Sequence, residues 1–324
     1  MDYKAIGKIV KSTGGLYYIK ADADDVRVGG RLLPCRARGK FRHEKISPVV
    51  GDRVEIVYND RTLDALDDPT KGKKASEVMI ADILDRRNVL IRPPLANLDY
   101  MFVSMAATKP APVLSTVDKL ISIAEFGGIE PVIIVGKSDL DGESVEKLVN
   151  IYEKAGFRVF PVSAAEGTGL QPLVAFLHEN MAGKTAAFAG ASGVGKSSLM
   201  NRLFPELHFE TGDISQKIER GKNTTRHVEL VEFSADGGIG YVADTPGFSM
   251  LDFIRFDFFS KEDLVGTMRE FEPYIGGCRY KKCTHTKEEG CAILDAVKNG
   301  EIAPSRHESF LEMYEALKNK HDWD

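Results

Sequence analysis

The octapeptide GASGVGKS, Gly190 to Ser197, constrains this chain more than any other feature. It follows a strand-like apolar run, TAAFAG, and opens into a helix-like segment, KSSLMNRLF. In that setting G-x-x-x-x-G-K-S predicts a polyphosphate-binding loop. Glycines let successive backbone N–H groups turn inward, and the helix N-terminus adds partial positive charge. Gly190, Ser192, Gly193, Val194, Gly195, Lys196, Ser197 and Ser198 are the expected contacts. Lys196 is expected to bridge the β- and γ-phosphates, which makes it a candidate catalytic group, and the Ser197 hydroxyl to ligate Mg²⁺. A strand that ends in such a loop belongs to an open α/β sheet with helices on its faces.

Three other strand-end motifs concern the nucleotide. DTPG, Asp244 to Gly247, follows GIGYVA; Asp244 is expected to hold Mg²⁺ through water, and the Gly247 N–H to meet the γ-phosphate. GKSD, Gly136 to Asp139, follows the buried-strand run PVIIV. There Asp139 can accept from guanine N1–H and N2–H₂ while the Lys137 stem covers the base. Adenine offers no donors in that arrangement and would leave the carboxylate unpaired, which discriminates strongly. VSAAEG brings the backbone of Ser163 and Ala164 toward guanine O6. The base-reading loops precede the phosphate loop and DTPG, whereas an unpermuted GTPase has them last. The order predicts a circularly permuted version of the same sheet.

The remainder of the chain reads as two flanking modules. At 324 residues it is long for one core, and length alone suggests two or three domains. Residues 1–82 carry short β-type runs such as GLYYIKA and GDRVEIVY between Gly and Asp clusters, and no helical period emerges before about residue 113. That pattern suggests a small β-barrel of the OB type. Residues 83–252 alternate strand and helix, including a helical run from Leu114 to Phe126, and constitute the expected nucleotide-binding domain. Residues 253–324 become mainly helical and carry cysteines.

Within that last segment, Cys278, Cys283, His285 and Cys291 have the spacing C-x₄-C-x-H-x₅-C. Three thiolates and an imidazole complete a tetrahedral set with no position open for water, so a structural Zn²⁺ is expected. Cys35 stands apart and reads as inert packing. Arg279, Tyr280, Lys281 and Lys282 flank the cluster, and Arg36, Arg38, Lys40, Arg42 and Lys45 fall within ten residues of the β-domain. Both runs are candidate RNA contacts, since cations neutralise phosphates and aromatic faces stack on bases. The net charge of −5 argues against a protein coated in positive charge. No run of 18 apolar residues and no signal peptide is visible, so a cytoplasmic protein without a membrane partner is expected.

Taken together, the permuted motifs, RRNVLIRPPLANLDY, GKNTTRHVEL, DTPGFS and the cysteine cluster closely resemble the circularly permuted ribosome small subunit-dependent GTPase A family, over nearly the whole chain. The resemblance implies an N-terminal OB-fold, a central permuted GTPase and a C-terminal zinc domain. It further implies late maturation of the small ribosomal subunit, with hydrolysis of GTP to GDP stimulated by that subunit and its rRNA as partner. By the same resemblance Gly221 to Thr225 form the first switch. Thr224 and Thr225 are candidates for Mg²⁺ and γ-phosphate contact, and Asn223 and Thr225 are added to Lys196 as candidate catalytic residues.

Three positions bear on catalysis. Gly136 stands where Asn is usual and lacks a side chain to brace the phosphate loop, a loss of one hydrogen bond or about 1 kcal/mol. Asn223 stands where the family usually has His, and an amide is no base near neutral pH. Phe248 occupies the place where many GTPases carry a water-orienting Gln, so slow intrinsic turnover is expected. Gly136 and Asn223 sustain an alternative, an RNA- or ribosome-binding scaffold with weak or no turnover. A metabolic ATPase or kinase is disfavoured by Asp139 and the motif order. A monomer is the default.

Overall fold

The computed structural model describes residues 1–43, 46–67, 78–206, 228–244 and 259–318. The chain divides into two units, one of residues 1–98, 222–232 and 241–246, the other of 99–221, 233–240 and 247–324.

In the first unit, five strands close on themselves. β1 (Tyr3–Thr13), β2 (Leu16–Ala21), β3 (Leu32–Ala37), β4 (Arg53–Tyr58) and β5 (Val78–Ile83) run in the order β1-β2-β3-β5-β4, and β1 also pairs with β4. All pairings are antiparallel except β3 with β5. The length of β1 makes closure possible: residues 3–8 pair with β4 and residues 7–13 with β2, with a register shift between Ile9 and Lys11. Such a bulge bends a strand across a barrel corner. Alternate residues point inward, as the β-pattern requires; Ile9, Ile19, Leu33, Cys35, Val54, Ile56 and Ile80 are at most 1% exposed. Burial pushes the Cys35 thiol up, so it behaves as an apolar filler.

Two short helices also occur here, α1 (Lys40–His43) and α2 (Asp60–Asp67), although the sequence shows no helical period before residue 113. About two turns give too few repeats for α2 to stand out from its surroundings. Its legible signal is the cap: Asn59 Oδ1 accepts from the Thr62 N–H at 3.0 Å and from the Thr62 hydroxyl at 2.9 Å. A small hairpin, β6 (Val89–Leu90) with β7 (Leu95–Ala96), ends the contiguous part of the unit.

The second unit starts with β8 (Tyr100–Ala106), α3 (Leu114–Phe126), β9 (Glu130–Gly136), α4 (Gly142–Lys154), β10 (Arg158–Val162), α5 (Leu170–Asn180), β11 (Thr185–Gly190) and α6 (Lys196–Leu203). Strands β10-β9-β8-β11 are parallel throughout. Every residue of β11 is buried, as expected for a strand covered on both faces. Phe102 stacks on Phe188 at 4.8 Å, with Phe176 edge-on to Phe102 at 6.2 Å, beneath the sheet. A hairpin of β12 (Glu229–Ala235) and β13 (Gly238–Asp244) contributes its tip, residues 233–240.

Beyond it come two 3-10 turns (264–267 and 269–274), α7 (Ala292–Lys298) and α8 (Pro304–Lys318). Arg306 of α8 is fully buried, with Asp118 of α3 at 2.6 Å and Glu270 at 2.7 Å. Burial opposes its charge, but attraction to these carboxylates outweighs that and raises its pKa. Removing the cation alone would strand two buried carboxylates. Arg306→Met is therefore expected to cost about 3–5 kcal/mol in urea unfolding. Adding Asp118→Asn and Glu270→Gln should recover a large part of the loss, whereas a cost below about 1 kcal/mol would show the network to be indifferent.

Candidate functional site

Strand register assembles the nucleotide loops. Gly136 at the end of β9 pairs with Val162 at the end of β10, and Gly190 at the end of β11 pairs with Ser104 of β8. The two base-reading loops and the phosphate loop therefore leave the sheet at its C-terminal edge, where open α/β sheets place their ligands. They enclose a cavity of about 360 Å³ lined by Lys137, Asp139, Ser163, Ala164, Val194, Gly195, Lys196 and Ser198. Of the other phosphate-loop positions, Ser192 and Gly193 lie on the turn that joins Gly190, the end of β11, to Ser197 in the first turn of α6.

The phosphate loop needs its first glycine. Gly190 has φ +143°, and a Cβ there would sit 2.1 Å from the Ser104 carbonyl oxygen. The Lys196 ammonium lies on the Gly190 and Ala191 carbonyls at 2.7 and 2.8 Å. Burial pulls its pKa down to about 8. A cation with no counter-charge among the described residues, at a helix start, is suited to a polyphosphate.

Lys137 adopts φ +56°, uncommon for a side-chain-bearing residue, and its ammonium donates to the Gly193 carbonyl at 2.9 Å and to the Lys109 carbonyl. The base-reading loop is thus pinned to the phosphate loop even with glycine at 136. A Cβ on Gly136 would approach the Val194 carbonyl oxygen to 3.2 Å, so the strand backs closely onto the phosphate loop. The second base loop is a tight turn: Ser163 Oγ accepts the Glu166 N–H at 3.1 Å, and the Ser163 carbonyl accepts the Gly167 N–H at 2.9 Å.

Sequence reading missed two residues here. Arg202, two turns into α6, donates to the Ala164 carbonyl at 2.9 Å and the Ala165 carbonyl at 3.0 Å. Ser104 lines the cavity with a buried Oγ that has no hydrogen-bond partner among the described residues. A serine inside the apolar run YMFVSMAA was the available signal for the second; the first had none, because its partners are backbone atoms. Asn223, Thr224, Thr225, Gly247 and Phe248 lie outside the described residues, and Asp244 ends β13.

The cysteine cluster forms a separate site. Cys278, Cys283, His285 and Cys291 place their ligand atoms within 4.8 Å of one another. Cys278 Sγ lies 3.8 Å from Cys291 Sγ, and each is 3.5 Å from His285 Nδ1. A tetrahedron with metal–sulfur bonds of about 2.3 Å has edges of about 3.8 Å, so the residues fit a four-coordinate ion. Burial pushes the Cys283 thiol up to about 12, and a divalent cation is what would favour its thiolate. The loop is framed by the Glu288 carboxylate, which accepts the Thr284 N–H at 2.8 Å and the Thr286 N–H at 3.1 Å. The His285 carbonyl is held by His307 Nε2 at 2.8 Å. Arg279, Tyr280, Lys281 and Lys282 are exposed beside it; in the barrel unit Arg36, Arg38 and Lys40 are exposed, with Lys40 on Asp82 at 3.0 Å, while Lys45 is outside the described residues.

A phosphate loop after β11 and two base-reading loops after β9 and β10 of one parallel sheet, met in reversed chain order, define a circularly permuted P-loop GTPase. Residues 83–254 match the family model for the RsgA GTPase and residues 6–63 that for the RsgA N-terminal domain. The chain belongs to the RsgA GTPase family. It is 40% identical over 313 residues to the small ribosomal subunit biogenesis GTPase RsgA of Alkaliphilus metalliredigens, covering 96% of this chain and 97% of that protein. The RsgA of Bacillus velezensis is 38% identical over 319 residues, covering 97% and 98%. Among solved structures, YjeQ from Thermotoga maritima superposes with a TM-score of 0.76 at 29% identity, covering 98% of this chain and all of that one. YloQ, described as a circularly permuted GTPase, gives 0.74 at 30% identity, covering 98% and 96%. GTP hydrolysis and the barrel and α/β GTPase parts follow from this membership, and the helical region with its Cys₃His metal site completes a three-part architecture. No helix among the described residues is long and apolar enough to cross a membrane.

Proposed function

We propose that this protein acts in late maturation of the small ribosomal subunit, hydrolysing GTP when that subunit stimulates it. The observation that carries the site assignment is the one cavity at which Lys137, Asp139, Ser163 and Ala164 meet Val194, Gly195, Lys196 and Ser198 of the phosphate loop. Asp139 reads guanine N1–H and N2–H₂, and the 163–165 turn presents N–H groups to O6. Lys196 neutralises the β- and γ-phosphates. Ser197, Thr225 and Asp244 hold Mg²⁺, which when bound offsets charge on the transferring phosphoryl group. Asn223 and Thr225 orient the attacking water, and with Phe248 after DTPG the subunit completes catalysis by positioning.

The Cys₃His set holds one structural Zn²⁺. Residues 1–82, 83–252 and 253–324 act as RNA-binding-type, GTPase and zinc-binding domains, and the exposed basic runs of the first and last contact rRNA. The protein acts in the cytoplasm as a monomer. The relatives named as small ribosomal subunit biogenesis GTPases support this reading. Phosphate release from GTP should rise steeply on addition of small subunits, with ATP inert. Absence of turnover under either condition would move the reading to a nucleotide-indifferent scaffold.

A further inference from the structure

We propose that Arg202 is a positioning residue for guanine recognition, bracing the O6-reading turn against the phosphate-loop helix. This rests on the guanine assignment above. The relevant geometry is that of one guanidinium on two successive carbonyls: Nε donates to Ala164 at 2.9 Å, and a terminal nitrogen donates to Ala165 at 3.0 Å. A trans peptide points its N–H opposite to its C=O. Holding the Ala164 carbonyl toward α6 turns the Ala165 N–H away from Arg202. The next peptide is fixed twice, through the Ala165 carbonyl on Arg202 and the Glu166 N–H on Ser163 Oγ at 3.1 Å. The turn then has little freedom to rotate its donors away from a base. A guanidinium on the Ala164 carbonyl oxygen also polarises that peptide, which strengthens the Ala165 N–H as a donor to O6.

Arg202 takes on a task that Gly136 cannot perform. An asparagine side chain at 136 would tie base-reading and phosphate loops together, and here the strand has no side chain to offer. Lys137 ties the first base loop to the phosphate loop through the Gly193 carbonyl. Arg202 ties the second base loop to the helix that the phosphate loop begins. A planar fork suits two adjacent acceptors; an ammonium is a single point charge and holds them less well. Arg202 is exposed, so its replacement should leave the fold intact.

The test is calorimetric titration of the full-length protein, with Mg²⁺, against GDP, 6-thio-GDP, IDP and ADP. 6-Thio-GDP weakens only the acceptor at position 6; IDP removes only the N2 amine that Asp139 reads. Arg202→Ala should weaken GDP binding about tenfold and bring the GDP to 6-thio-GDP ratio close to one, while the GDP to IDP ratio stays at the wild-type value. Arg202→Lys should recover part of both losses. An equal loss for GDP, 6-thio-GDP and IDP would overturn the proposal, since a general loosening of the site behaves that way. So would wild-type ratios in Arg202→Ala. A wild-type protein that binds ADP as well as GDP would remove the guanine assignment itself and this inference with it. A wild type that prefers GDP beside an Arg202→Ala variant that keeps the preference at O6 would remove only the brace.

Discussion

Lys196→Ala is expected to lower GTP turnover by about 10²–10³-fold, the usual cost of removing one donor aimed at developing transition-state charge. The melting temperature should scarcely change, because the side chain's described bonds are to two carbonyls of its own loop. Single-turnover phosphate release with small subunits present is the measurement, and turnover within threefold of wild type would mean that Lys196 does not reach the reacting phosphates. The same residue predicts a pH dependence. Burial lowers its pKa to about 8, so the free protein sheds this proton as pH rises through 8. A bound polyphosphate favours the charged form, and binding above pH 8 must take a proton up. GDP affinity should therefore be flat below pH 7 and fall about fourfold from pH 7 to 8.5. Lys196→Arg, which stays protonated, should lack that slope.

Most of this site is legible in the sequence because its chemistry is carried by short contiguous runs at strand ends. GASGVGKS and GKSD each announce a strand, a sharp turn and a chemical task within eight residues, and the parallel sheet needs only strand order to bring them together. The cysteine cluster is legible for the same reason, with all four ligands inside fourteen residues. What sequence pattern misses depends on backbone partners or on distant residues. Arg202 reads as an exposed helix cation until the Ala164 and Ala165 carbonyls are placed beside it. Arg306 reads as one more charge in a polar helix; only the packing of α8 on α3 shows that Asp118, 188 positions earlier, is its partner. Helix α2 escapes because a segment of about two turns has no period to measure. The resemblance supplies what residues alone leave open, above all the roles of Asn223 and Thr225.

Removing the metal from the Cys₃His cluster is expected to unfold its loop and leave the GTPase sheet standing. The stretch CRYKKCTHTKEEGC has almost no apolar side chain to bury, so its order depends on ligand bonds, whose binding free energy is about 10 kcal/mol or more in small zinc modules. The Glu288 bonds and the His307–His285 bond frame the loop, but they are local hydrogen bonds worth about 1–3 kcal/mol each, those to the carboxylate at the upper end. Helix α8 has its own anchor in Arg306, and Phe310 packs edge-on to Phe271 at 5.2 Å, so it should survive. Exposed Arg279, Lys281, Lys282 and Lys287 make trypsin a direct probe. Cleavage within 279–287 should accelerate on the order of a hundredfold after chelation, because proteolysis follows the population of the open loop. Cys283→Ser should reproduce this without chelator, and metal analysis of the wild type should return one zinc per chain. Cleavage that is unchanged by chelation would show that hydrogen bonds alone order the loop, and the cluster would lose its structural role. If chelation instead collapsed GTP binding together with the loop, the Arg306 anchor would be too weak to insulate the nucleotide site from the metal.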